Sequence, residues 1–357
     1  MRKSQKGLSL IELMIAMLIG LFLISGVVKV FVDSKRTYVF QQALARIQEN
    51  GRIAMEFLGR DIRMAGYTGC AGGEFASITN TLNNSTTLDY DFSRGVRGYD
   101  VGASVPTDLA GLSPAPLPNT DVLVLKGPIG DGVKVLKNNS SAQLFAQVIT
   151  TESGACSDGT DRVSGICRGD ILMVADCTKA RVFQTGNIQT TGTCPGASCE
   201  LNITHPASGT PGNSISSWGG AGGNAAEQFG NDSEIIKMNT VFYYIANGAS
   251  GQPALWQAIV PGTTQEILEG VENMQLLYGR DTGVDLVPDS YDTATAVTSA
   301  SVWDKVGAVR VQLLMRSDEA VTDQAQPINF NGLSVTPTDR RLRHVFVSTV
   351  GVRSKMP

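Results

Sequence analysis

One stretch constrains this chain more than any other: Gly7-Leu8-Ser9-Leu10-Ile11-Glu12, followed by the apolar run Leu13 to Val28. Three cations, Arg2, Lys3 and Lys6, precede it, and a single carboxylate, Glu12, interrupts it. As a helix, Leu8 to Val32 rises about 37 Å, enough to cross a hydrocarbon core of about 30 Å with some tilt. An ionised Glu costs about 2.5 to 3.5 kcal/mol at mid-membrane on insertion scales, and less near the interface, so Glu12 needs a partner. The cations ahead of the span hold that end in the cytoplasm and place the residues after Val32 outside it.

A cleavable secretory signal has an apolar core of about 7 to 15 residues and a small-residue cut site. This run is longer and leads into Lys29-Val30-Phe31-Val32-Asp33 without such a site. A plain anchor fits the length but has no use for Glu12 or for Gly7 directly before the apolar segment. The short basic leader ending in Gly7, the spacing to Glu12 and the span length resemble the type IV prepilin N-terminus. That resemblance implies a cut after Gly7 by the prepilin peptidase, N-methylation of Leu8, and Glu12 as fifth residue of the mature chain. Leu8 departs from the Phe usual in that family. A cut there would create an amine about one helical turn from Glu12. Opposite charges a few Å apart in a poorly hydrated core attract strongly, so Glu12 is expected to sense register during assembly.

The chain of 357 residues has room for one large or two modest domains beyond the span. Its 39 Gly, 14 Pro and 17% charged residues favour strands and long loops over a helical bundle. Net charge is −4, and removing the +3 of Arg2, Lys3 and Lys6 leaves about −7 for the rest, so nucleic acid is not an expected partner. Cys70, Cys156, Cys167, Cys177, Cys194 and Cys199 all follow the span, where an even number reads as disulfides. Proximity in sequence suggests Cys156 with Cys167 and Cys194 with Cys199, which would leave Cys70 with Cys177. Zinc needs C-x-x-C pairs or nearby His, and His205 and His344 are the only histidines.

Phe40, Leu44, Ile47, Gly51, Ala54, Leu58, Ile62 and Ala65 recur at steps of three and four, so the helix is expected to continue to about Ala65. Gly66 and Gly69 supply its stop. Residues 71–119 read as surface loop with short elements, and 192–231 again as loop, including a glycine cluster after Trp218. Strands are expected at Asp121 to Lys126, Gln143 to Thr150, Asp170 to Cys177, Ala180 to Gln184, Asn239 to Ala246 and Ala254 to Val260. Further strands are expected at Met274 to Tyr278, Val306 to Met315 and Arg343 to Val352, with Gln265 to Glu272 a short helix or a strand entry. Val309, Val311 and Leu313 alternate with neighbours, as in a sheet with one better-buried face. The fold class is therefore α+β: a long N-terminal helix packed on a strand-rich, mainly antiparallel head with long loops.

Over nearly its whole length the chain resembles the PilW-type minor pilins. The carriers include Ala65-Gly66-Tyr67 with Cys70, Val96-Arg97-Gly98-Tyr99, Val174-Ala175-Asp176-Cys177, and Phe242-Tyr243-Tyr244 before Leu255-Trp256. Others are Leu268-Glu269-Gly270-Val271 with Tyr278-Gly279, Trp303 ahead of Val309-Arg310-Val311, and Arg340-Arg341. The resemblance implies four segments: a cleaved leader 1–7, a membrane and filament-core half-helix 8–32, an amphipathic half 33–66, and a periplasmic head 67–357. It implies a minor pilin in a complex that primes pilus assembly and sits at the tip. Implied partners are other minor pilins, the major pilin, the inner-membrane assembly platform and a tip adhesin. A J-type pseudopilin of type II secretion shares the leader and spine and is the runner-up, with a membrane-tethered periplasmic enzyme behind it.

No Ser/His/Asp set, H-E-x-x-H, G-x-S-x-G or Walker motif is present, so no catalytic residue and no cofactor are expected. Asp281, Asp285 and Asp289 form an acidic cluster that could offer oxygen ligands to calcium. The EF-hand pattern is missing, and a solvated turn is the stronger reading. Arg340, Arg341, Arg343, His344 and Arg353 read as a charged strand face paired with acids.

Overall fold

The computed structural model describes residues 9–69, 77–194, 198–220, 224–283 and 287–355. The chain forms two compact units, one of Met1–Asn50 with Arg316–His344 and one of Gly51–Met315 with Val345–Pro357.

Helix α1 runs from Leu10 to Met64, within two residues of the expected bounds. Apart from Glu12 and Lys29 its first half is apolar on every face, and from Leu10 to Phe31 every residue but Gly20 is exposed, the pattern of a helix whose solvent is lipid. From Ile47 onward the three-and-four stripe becomes the buried face, with Ala54, Leu58 and Ile62 wholly inaccessible. Burying each of the two large side chains stabilises by about 1.5 to 3 kcal/mol relative to leaving it in water. The helix stops at Gly66, whose φ of +68° lies in the left-handed region and whose N–H donates to the Lys126 carbonyl at 2.7 Å. A Cβ on the neighbouring Gly95 would stand 2.4 Å from the Gly66 Cα, so this crossing admits no side chain.

In the larger unit the chain forms β1 (Ser77–Asn80), β2 (Val96–Asp100), β3 (Asp121–Lys137), β4 (Gln143–Gln147), β5 (Thr151–Glu152) and β6 (Arg162–Val163). There follow β7 (Ile171–Ala175), β8 (Lys179–Gln184), β9 (Ile188–Thr191), β10 (Glu200–Thr204), β11 (Glu234–Asn247), β12 (Pro253–Val260) and β13 (Thr264–Glu269). Eleven of these make one sheet centred on β3 and β11, antiparallel throughout except for β1 beside β8. Val122 to Leu125 and Phe242 to Ala246 are buried on both faces, which is why they read as unbroken apolar runs rather than alternations. One face meets α1: Tyr243 donates to the Asp61 carboxylate at 2.6 Å and accepts from Gln257 at 2.7 Å. On the other, Val124, Phe242 and Tyr244 pack with Val101 and Leu109.

A second sheet begins with β14 (Val271–Arg280), β15 (Ser290–Asp292) and, after helix α2 (Ala294–Ala300), β16 (Val306–Ala320). Val309, Val311 and Leu313 are its fully buried side, as the alternation requires. Two acids join it to the first sheet. Asp121 accepts the Leu276 N–H at 2.7 Å, and its cross-strand neighbour Asp100 accepts the first amides of α2, from Ala294 and Thr295, at 3.0 and 2.8 Å. Between them Tyr278 stacks edge-on against Trp303, and its hydroxyl occupies the place a Cβ on Gly98 would need.

Two expectations differ from the structure, and a third, given as helix or strand entry, resolves to strand. The stretch 192–231 contains β10, where Leu201 and Ile203 are buried and Asn202 points the other way, an alternation too short to stand out among Gly, Ser and Thr. Gln265 to Glu272 is strand, split between β13 and β14. Helix α2 is not among the expected elements: its seven residues are capped by Thr293 and by Asp100, a residue 194 positions away.

In the smaller unit the outer end of β16, a hairpin of β17 (Ile328–Phe330) and β18 (Leu333–Val335), and the start of β19 (Arg341–Gly351) lie beside α1. Asp318 faces Arg46 at 3.7 Å and Asp323 faces Arg36 at 3.8 Å.

Candidate processing and assembly site

Gly7 and Leu8 lie outside the described residues. Ser9, just before α1, and Glu12, in its first turn, form a reciprocal pair. The Ser9 N–H donates to a Glu12 carboxylate oxygen at 2.9 Å and the Ser9 hydroxyl to the same oxygen at 3.1 Å. The Glu12 N–H in turn donates to the Ser9 hydroxyl at 3.3 Å. This is a capping box: the acid folds back on the free amides that begin the helix, where the helix dipole also favours a negative charge. Among the described residues, Ser9 supplies all of Glu12's hydrogen bonds, so the charge is solvated by neutral donors and not balanced by a cation. The Ser-x-x-Glu spacing ahead of an apolar run was the signal that could have revealed the cap from the sequence.

The described cysteines fall in the larger unit. Cys156 is bonded to Cys167 and Cys194 to Cys199, each closing a short loop. Cys177 is also disulfide-bonded, while Cys70 lies outside the described residues. Of the acidic cluster, Asp285 is outside the described residues and the other two serve their own loop. Asp289 accepts from the Thr282 amide and hydroxyl at 2.7 and 2.6 Å, bonds that hold its carboxyl below the usual range, and Asp281 accepts from Gly283 at 2.8 Å. Among the described residues, no three His, Cys, Asp or Glu side chains stand close enough to hold a metal ion.

The basic set divides. Arg343 grips Asp339 with two nitrogens at 2.6 and 3.1 Å, which lowers that carboxyl to about 2, and Arg341 donates to the Ser317 carbonyl. Arg340 is exposed and Arg353 stands in a short 3-10 turn. Paired charges of this kind make a solvated strand face rather than a phosphate-binding one. His205 is buried, stacked at 4.2 Å on Trp218, and burial pushes its imidazole down to about 4. Its ring neighbours are aromatic, and it serves the core with Phe183 and Phe229.

Residues 242–354 match the family model described as Type IV Pilus-assembly protein W, and residues 2–28 match the prokaryotic N-terminal methylation motif. The two matches identify a PilW-type pilin. No curated protein and no solved structure matches the chain. The pilin family is a pilus-assembly component and not an enzyme family, and the matches give no support to a secretion pseudopilin. The match to the assembly domain begins within β11, at Phe242, and covers the second sheet, the hairpin and the last strand of this pilin. The motif match covers the leader, the Ser9–Glu12 pair and most of the span. This is a type IV pilus minor pilin involved in pilus assembly, anchored in the membrane by α1 with its head outside.

Proposed function

We propose that this pilin is cut after Gly7, N-methylated on Leu8, and recruited through Glu12 into a minor-pilin complex that primes the pilus and sits at its tip. The observation that carries this reading is Glu12 at the start of a largely apolar helix, held among the described residues by the neutral donors of Ser9. An uncompensated carboxylate among lipid chains gains most from an added cation, and the amine released by cleavage is the nearest one available. In a filament that amine can come from a neighbouring subunit, so docking with N-termini aligned is favoured over other registers.

The segments follow the same logic: leader 1–7, membrane and filament-core half-helix 8–32, amphipathic half 33–66, and periplasmic head 67–357. Other minor pilins and the major pilin are the partners of the helix and head, with the inner-membrane assembly platform and a tip adhesin as further contacts. N-terminal mass spectrometry of the native protein tests the processing step, since one measurement reads both the cut and the methyl group. A native chain that still begins at Met1 would end the proposal. Glu12→Ala should leave insertion and cleavage intact and reduce co-purification with sheared pili, and equal recovery of mutant and wild type would remove the assembly role. Loss of piliation and twitching in a deletion strain, with exoprotein secretion intact, is the expected cellular result.

A further inference from the structure

Where α1 leaves its apolar segment, the smaller unit carries a groove of about 990 Å³. Its walls combine apolar side chains, among them Val39, Phe40, Val321 and Leu342, with the cations Lys35, Arg36 and Arg340 and the single acid Asp323. Val32, the last apolar residue of the span, lines the same groove, and Tyr38, an amphipathic ring of the kind that collects at membrane interfaces, is exposed nearby on α1.

The arm forming the other wall has a definite direction. Asp318 pairs with Arg46, and Asp323, five residues on, pairs with Arg36, about 15 Å down the helix, so the arm runs antiparallel to α1 toward the span. Beyond Asp323 it turns through the β17–β18 hairpin, whose Leu333 and Val335 are 66% and 48% exposed. Two large apolar residues exposed on a hairpin are costly in water and suited to the boundary between head groups and acyl chains.

We propose that this groove and hairpin form a docking site for phospholipid of the outer leaflet, with Lys35 and Arg340 holding an anionic head-group phosphate and Leu333 and Val335 entering the acyl boundary. The site rests on the membrane anchoring of α1 and is continuous with it, since the groove begins at the residue where the span ends. A lipid supplies what the lining calls for: an anion for the cationic rim and hydrocarbon for the apolar walls. It would hold the arm at the bilayer until extraction into the fibre.

The test uses the full-length protein in vesicles of phosphatidylglycerol and phosphatidylcholine with brominated acyl chains. Leu333→Trp and, as a control for the anchor, Phe22→Trp each add one tryptophan to the constant background of Trp218, Trp256 and Trp303. Both added signals should be quenched. Quenching of the Phe22→Trp signal with the Leu333→Trp signal untouched would overturn the docking site, leave the anchor standing and give this face to a protein partner. Failure of both would overturn the anchor and the site together. In detergent with added phosphatidylglycerol, native mass spectrometry should show a lipid adduct on the parent that is lost in Lys35→Gln combined with Arg340→Gln. Equal retention by the two proteins would overturn the assignment of the phosphate to these cations.

Discussion

Replacing Asp121 by Asn should make this protein's stability respond differently to pH. Asp121 is 5% exposed, and desolvation, only partly offset by the Leu276 amide, raises its carboxyl from 3.8 to about 7, with Asp100 adding to the rise. In the unfolded chain the group ionises near 3.8; in the folded chain it keeps its proton to about 7. Between these values the folded state binds the extra proton, so its stability is greatest below the lower pH and falls as pH rises toward 7. The interval spans about three pH units at 1.36 kcal/mol each, an upper bound of roughly 4 kcal/mol. The amide of Asp121→Asn would keep the acceptor for Leu276 and carry no charge. Urea unfolding of the full chain in detergent micelles, at pH 4 to 8, reads the difference between variant and wild type. That difference should grow in favour of Asp121→Asn as pH rises to 7 and then level off. The comparison also cancels His205, whose lowered value of about 4 makes both proteins lose stability as pH falls below its ordinary 6.5. A difference that stays flat from pH 4 to 8 would refute the account of a buried acid at the junction of the two sheets.

Other substitutions probe other joints. Gly98→Ala places a Cβ where the fully buried Tyr278 ring ends, and overpacking there should cost about 1 to 3 kcal/mol, read as a lowered urea midpoint with unchanged slope. Tyr243→Phe removes the donor to Asp61 and the acceptor for Gln257, and should cost about 2 kcal/mol in the same assay; a change below a few tenths would mean the helix is held by apolar packing alone. Replacing both Cys156 and Cys167 by Ala opens a loop with a sequence separation of 11, and should cost about 2 to 3 kcal/mol under oxidising conditions while leaving the reduced proteins alike.

The parts legible in the sequence share one physical property: their signal is local. A long apolar run, a stripe at steps of three and four through Leu58 and Ile62, and alternation at Val309, Val311 and Leu313 each report the solvent on a face of the element that carries them. The Ser9–Glu12 cap was equally local and could have been found by its spacing. The cysteine pairs Cys156 with Cys167 and Cys194 with Cys199 needed only proximity along the chain.

What tertiary structure alone decided depends on residues far apart in sequence. Asp100 and Asp121 look like ordinary surface acids until folding sets one against the amides of α2 and the other against Leu276, 155 positions on. Helix α2 is too short to be stable unaided, and the distant Asp100 carboxylate adds to the local Thr293 cap that begins it. The arm beside α1 depends on the chain returning at Asp318 and Asp323 to a helix that ended at Met64. Sequence determined the anchor, the spine and the strand-rich class, because solvent periodicity is written residue by residue. Which acids become buried, and what lies at the membrane exit, follows from long-range closure, which no local pattern encodes.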